Sequence, residues 1–165
     1  MNAHINYFVG DQGPNGGTIV FKNSTRENWG EYLEVAPKGW FGTDEDPQLI
    51  WSDLISKILT DDSVNKIGKG HSNTFTISDN SLDSAARIVL HQQINGTLGW
   101  FIPSLDELNI LFKSKNLNLN FEEGYYWSSS EHDAYLAWAQ SFSDGFQDHY
   151  AAKTMKCFVR PIRYI

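Results

Sequence analysis

At 165 residues the chain has the length of one domain, with enough sequence to bury a core without disulfide or metal staples. A formal net charge of −7 opposes a phosphate backbone and speaks against nucleic acid as a partner, while 14% aromatic content favours a β-rich fold with bulky wedges over a plain helical bundle. The single cysteine, Cys157, rules out an intrachain disulfide and a cysteine-based metal cluster, and beside Phe158 and Val159 it reads as a buried strand residue.

Met1 to Phe8 have no basic head and no long apolar run, so they read as neither a signal peptide nor a membrane span. Residues 1–9 are taken as a lead-in or stalk remnant and residues 10–165 as one ligand-binding domain. Either the protein is released without a standard signal, or an export segment or stalk lies outside this chain. Asp11 to Gly17 is turn chemistry, with glycines for positive φ and Pro14 to set a bend. It lacks the glycine spacing and the Gly-Lys-Ser/Thr ending of a phosphate-cradling loop. Thr18 to Phe21 is a short β-branched strand, and Tyr32 to Ala36 is a second that Pro37 ends.

Leu49, Ile50, Trp51, Leu54, Ile55, Ile58 and Leu59 predict an amphipathic helix. The acidic trio Asp44, Glu45, Asp46 before it is a solvated loop or a hard-cation ligand set. Ile67 to Thr74 reads as glycine-punctuated loop, with His71 fixing a turn. A helix is expected over Asp79 to Ile94, capped by Ser81 or Asp79, with Leu82, Ala85, Ala86, Val89, Leu90 and Gln93 inward, and Asn95-Gly96 stopping it.

Trp100 to Phe112 is the organising stretch. A short buried strand hands over at Pro103 to a helix opened by the Ser104-x-x-Glu107 capping box, and Leu105, Leu108, Leu111 and Phe112 share its buried face. A polar loop over Lys113 to Asn120 follows. Tyr125 to Glu131, a strand around Trp138, and Val159 to Tyr164 read as closing strands, with Asp144-Gly145 turning a hairpin. Trp138, Gln140 and Phe142 share one parity of their strand, and Trp127, Trp138 and Phe142 are assigned to the core. No low-complexity segment or internal repeat is present.

The landmarks Gly10 to Phe21, Tyr32 to Pro37, Ile67 to Gly70 with Asn73-Thr74, Trp100 to Phe112, Tyr126 to Glu131, Trp138 with Phe142 and Gly145, and Val159 to Arg163 together resemble the Lcl C-terminal domain family. That family is the adhesive tip of bacterial collagen-like proteins and of related phage and surface proteins. The resemblance implies an α+β, C-type-lectin-like fold, a twisted antiparallel sheet flanked by two main helices, with ligands held by the last third of the chain. It also implies a homotrimer at the end of a fibre, and an extracellular, cell-surface or phage-tail location. Family members that bind sulfated glycosaminoglycans need a basic face, which a charge of −7 argues against.

The last third also carries the mixture of aromatic and short polar groups that binding surfaces use. The expected ligand-binding set is Glu131, His132, Asp133, Tyr135, Phe146, Gln147, Asp148, His149 and Tyr150, for a cell-surface glycan or protein. Glu131, His132, Asp133 and Asp144 could add a calcium ion; no cofactor is otherwise called for, and no metal or catalytic residue is assigned. A structural trimerisation cap is the alternative. An enzyme related to the formylglycine-generating fold is a weaker one, because that chemistry uses cysteine thiolates and Cys157 stands alone in a strand.

Overall fold

The computed structural model describes residues 6–25 and 29–165, so residues 1–5 of the expected lead-in lie outside the described residues. The elements run β1 (Thr18–Lys22), β2 (Tyr32–Val35), β3 (Gln48–Ile50), α1 (Gly70–Asn80), α2 (Ala85–His91), α3 (Leu105–Lys113), β4 (Tyr125–Glu131), β5 (Leu136–Ser141), β6 (Gln147–Ala152), β7 (Lys156–Phe158) and β8 (Ile162–Tyr164). The result is an α+β domain in which two sheets, ordered β1-β2-β8 and β3-β7-β4-β5-β6, replace the single expected sheet. All strand pairs are antiparallel except β4 with β7. Among the described residues three α-helices stand where the resemblance implied two main ones, and none is long and apolar enough to cross a membrane.

Each face of the larger sheet packs on its own core. Trp127 joins Trp51, Trp100, Ala137, Ala139, Ala151, Cys157 and the inward residues of α1 and α2 on one side. Tyr126 joins Phe142, Leu108, Leu111 and Phe101 on the other. Adjacent residues of β4 thus serve opposite cores, as the two-residue side-chain period demands. At the start of α3 the capping box forms in full: Ser104 N donates to Glu107 Oε2 at 2.7 Å and Glu107 N donates to Ser104 Oγ at 3.4 Å. Glu107 is buried and also accepts from Gly68 N at 2.7 Å and from the Tyr164 hydroxyl, so one carboxylate ties the helix start to two distant segments. Phe101 is bridged to Ile162, but Trp100 lies in no strand.

Three expected elements differ. The helix predicted from Leu49 is instead β3 followed by irregular chain to Lys69, because the backbone donors of Ile58 and Leu59 are taken by a carboxylate distant in sequence and cannot close helical turns. The predicted loop at Ile67 to Thr74 contains the start of α1, whose Thr74 Oγ1 accepts from Ile102 N at 3.0 Å. The single helix over Asp79 to Ile94 is broken: Ser81 N ends α1 on Ile77 O, and Ser84, not Ser81, caps α2 by accepting from Arg87 N at 3.2 Å. Leu82, expected inward, falls in that break and is exposed, and Gln93 is exposed as well. Asn95 and Gly96 do make the turn, at φ 50° and 76°, between bridged Ile94 and Thr97.

The acidic trio divides. Asp44 and Glu45 are exposed, whereas Asp46 is buried, accepts from Arg160 Nε at 2.7 and 2.8 Å and from the Tyr126 hydroxyl at 2.7 Å, and so serves as a structural anchor. Arg160 further donates to Leu119 O at 3.1 Å and lies 4.6 Å from the Phe121 ring centroid.

Candidate aromatic binding face

The β5–β6 hairpin builds the candidate site. Ala137, Ala139 and Ala151 point from it into the core beside Trp127, and these small side chains leave room for the large indoles. The opposite parity carries Trp138, Gln140 and Phe142. α3 covers the lower half of that face, where Gln140 Nε2 donates to Asn109 Oδ1 at 3.0 Å and Phe142 meets Phe112 edge-on at 5.6 Å. Beyond the end of that cover Trp138 is only partly buried, which corrects its assignment to the core; Trp127 and Phe142 are buried as expected.

The register of β6 sets what surrounds Trp138. Ala137 pairs with Ala151 and Ala139 with Asp148, so one residue of β5 faces both His149 and Tyr150 across a β-bulge. Such bulges re-aim side chains at sheet edges, and β6 is an edge strand. The rings gather there: Trp138 and His149 lie 5.1 Å apart between centroids, His149 and Tyr150 3.9 Å, His132 and His149 4.9 Å, and His132 and Trp138 5.8 Å. Tyr150 remains 70% exposed at the rim of the group.

Three aspartates shape this hairpin by one device. Asp133 Oδ1 accepts from Tyr135 N at 2.7 Å, Asp144 Oδ1 from Phe146 N at 3.1 Å, and Asp148 Oδ1 from Tyr150 N at 2.8 Å. Each carboxylate fixes the backbone of an exposed aromatic residue two positions on. The Tyr135 amide, followed by that of Leu136, holds the Asp133 carboxyl below its ordinary range; for Asp144 the Ser141 hydroxyl does so first and the Phe146 amide second. Asp133 Oδ2 also lies 3.2 Å from Nδ1 of His132.

The expected set is therefore only partly gathered. His132, His149 and Tyr150 come together around Trp138, the residue that sequence reasoning misplaced. Tyr135 and Phe146 sit at opposite ends of the hairpin, about 20 Å apart along β6 at the usual strand rise. Gln147, paired with Gln140, lies on the same face as Trp138 between the patch and Phe146. The misplacement of Trp138 had a signal in the sequence: the alternate parity is alanine at 137 and 139, and small residues leave room for a large neighbour beneath the sheet as readily as they mark a solvent face.

Glu131 does not belong to this surface. Its side chain is fully buried, and its carboxylate accepts from Ile58 N at 2.9 Å, Leu59 N at 2.6 Å and Lys153 Nζ at 2.5 Å. Buried Lys153 spends its other two donors on Ser56 O at 2.8 Å and Ala134 O at 3.0 Å. The pair pins the 51–69 segment, the β4–β5 turn and the end of β6 together under the patch. The serine run beside it has the same use: Ser130 Oγ donates to Val64 O at 2.9 Å and accepts from Leu105 N at 3.0 Å, while Ser129 N donates to Pro103 O at 2.7 Å.

His71 is an exposed helix residue, edge-on to Phe101 at 5.5 Å. Cys157 is buried in β7, and burial pushes its thiol up to about 12. Among the described residues no group of three or more His, Cys, Asp or Glu is placed to hold a metal ion. The chain matches no protein-family model and no curated protein.

Proposed function

We propose that this domain is a non-enzymatic adhesin or receptor-binding tip, of C-type-lectin-like fold, that recognises a cell-surface glycan or envelope protein with the outer face of the β5–β6 hairpin. The observation that carries the reading is the partly buried Trp138 flanked by His132 and His149, with Tyr150 against His149, where α3 no longer covers the sheet. Aromatic side chains of this kind bury large area on binding at little cost in side-chain entropy, and the neighbouring Asp133 and Gln147 supply orienting hydrogen bonds, whereas Asp148, paired with core-facing Ala139, lies on the other face of the sheet. The Asp-fixed turns and the Lys153–Glu131 pair hold the face in place beforehand, which reduces the ordering cost of association.

A trimer at the end of an extracellular or phage fibre is part of the same proposal. It draws on the family resemblance. The test is a screen of the purified protein against cell envelopes and immobilised surface ligands, with solution mass measured alongside. The double variant His149→Ala, Tyr150→Ala should lose binding at an unchanged melting temperature. Full binding by that variant removes the site from this face.

A further inference from the structure

We propose that the cleft between α1 and α2 binds a free α-amino acid with an apolar side chain. Both helices pack on the Trp127 core, so the cleft lies on the far side of the larger sheet from Trp138 and stands independently of the binding face above. Ile77 of α1 and Ala85, Ala86 and Val89 of α2 turn into that core. Beside them Phe75, Ser78 and Asp79 on α1 and Arg87, Leu90 and His91 on α2 repeat one i, i+3, i+4 spacing, so each trio forms a single stripe. The two stripes line a cavity of about 390 Å³, within the range of about 300–1,000 Å³ that small-molecule sites occupy.

Three properties of the cleft name the ligand. The first is a cation without a counter-ion. Among the described residues no carboxylate stands within ion-pair distance of Arg87, whose guanidinium spends one donor on Ser78 O at 3.4 Å. Its other N–H groups keep the planar fork that grips a carboxylate at both oxygens. The second is an anion on the same cavity: Asp79 is exposed and pairs with no cation among the described residues, Arg87 included, so opposite charges face one space across a gap longer than an ion pair. A molecule carrying both an ammonium and a carboxylate answers the two charges together, whereas a plain acid or a plain amine answers one. His91 helps on the ammonium side, because its Nδ1–H donates to Arg87 O at 2.7 Å and leaves Nε2 as the acceptor of the neutral ring. The third is apolar: Phe75, 59% exposed, and half-buried Leu90 offer ring and aliphatic surface to the ligand's side chain.

The experiment titrates the full chain with L-phenylalanine, read by calorimetry and by backbone amide shifts. Glycine, phenylalaninamide and 3-phenylpropionate run beside it and lack in turn the side chain, the carboxylate and the ammonium. Saturable binding of L-phenylalanine is expected, with shifts at Asp79, Arg87 and His91, and each of the three analogues should bind at least about tenfold more weakly. Arg87→Gln and Asp79→Asn should each lose about tenfold in affinity while melting as the parent does, since both side chains are exposed. Trp138→Ala should bind the amino acid as the parent does, so that failure of this cleft and failure of the hairpin face are read apart. No saturation by about 10 mM L-phenylalanine, equal binding of 3-phenylpropionate, or an affinity unchanged in both charge variants overturns the proposal.

Discussion

Replacing Lys153 with methionine tests whether the ion pair beneath the patch holds the surrounding segments together. Methionine fills the space of the lysine stem but removes the charge and three donors. Glu131 would keep the Ile58 and Leu59 amides yet lose its counter-charge, and the carbonyls of Ser56 and Ala134 would lose their donor. With both side chains almost wholly out of water, at 2% and 0% exposure, the expected cost is about 3–5 kcal/mol, that of breaking a buried pair from one side. For an m-value of about 2 kcal/mol per molar, the urea midpoint should fall by about 2 M. Adding Glu131→Gln removes the stranded charge while leaving an oxygen for the two amides, so the double variant should be more stable than the sum of the single effects allows. Hydrogen exchange at Ile58 and Leu59 should quicken in Lys153→Met. A loss below about 1 kcal/mol, or strict additivity of the two substitutions, would refute the reasoning.

Other outcomes follow from single sites. Trp127→Ala should cost about 3–5 kcal/mol by denaturant titration and Trp138→Ala less than half as much, since only Trp127 is wholly enclosed; equal losses would return Trp138 to the core. Burial raises the Glu107 carboxyl above its ordinary 4.5, so between that value and its raised folded value the native state holds a proton that the unfolded chain has released. Stability should therefore fall as pH rises through that window, and Glu107→Gln should lack that part of the slope when urea midpoints are compared from pH 4 to pH 8. Cys157 should not react with a disulfide reagent at pH 8 in the folded protein and should react fully once unfolded; rapid labelling of the native state contradicts its burial. A Cβ at Gly17 would stand 2.1 Å from Val35 O, and Gly17→Ala should cost about 1–3 kcal/mol, read from its melting curve.

The features legible in the sequence were those whose partners are near in the chain. The capping box at Ser104 and Glu107, the turn at Asn95-Gly96, and the short strands at Thr18 and Tyr32 each answer to a few adjacent residues. What escaped was decided at long range. Leu49 to Leu59 has helical spacing, but its backbone amides find Glu131 from another strand, and that contact overrides periodicity. α1 begins with Gly-His-Ser-Asn-Thr, a poor helical opening. It forms there because Gly70 admits the Glu107 carboxylate, where a Cβ would stand 2.2 Å from Oε2, and because Asn73 reaches Val64 O at 2.7 Å.

The site shows the same division one level up. Composition located the concentration of aromatic and acidic residues in the closing third, yet composition cannot assign a face, because in a strand a neighbour on either side reverses which parity is buried. On β5 both faces are covered at Gln140 and only one at Trp138, since α3 packs against part of the strand and not the rest. A residue can then be partly open to solvent while the residue two positions along the same face is sealed. Where a helix cover ends is set by its length and crossing, and so by Ser104 and Pro103 more than by the strand itself. The binding face therefore depends on the same capping box that was plain in the sequence: moving the start of α3 toward β5 by one turn would bring its side chains toward Trp138 and close the patch without altering a residue in it.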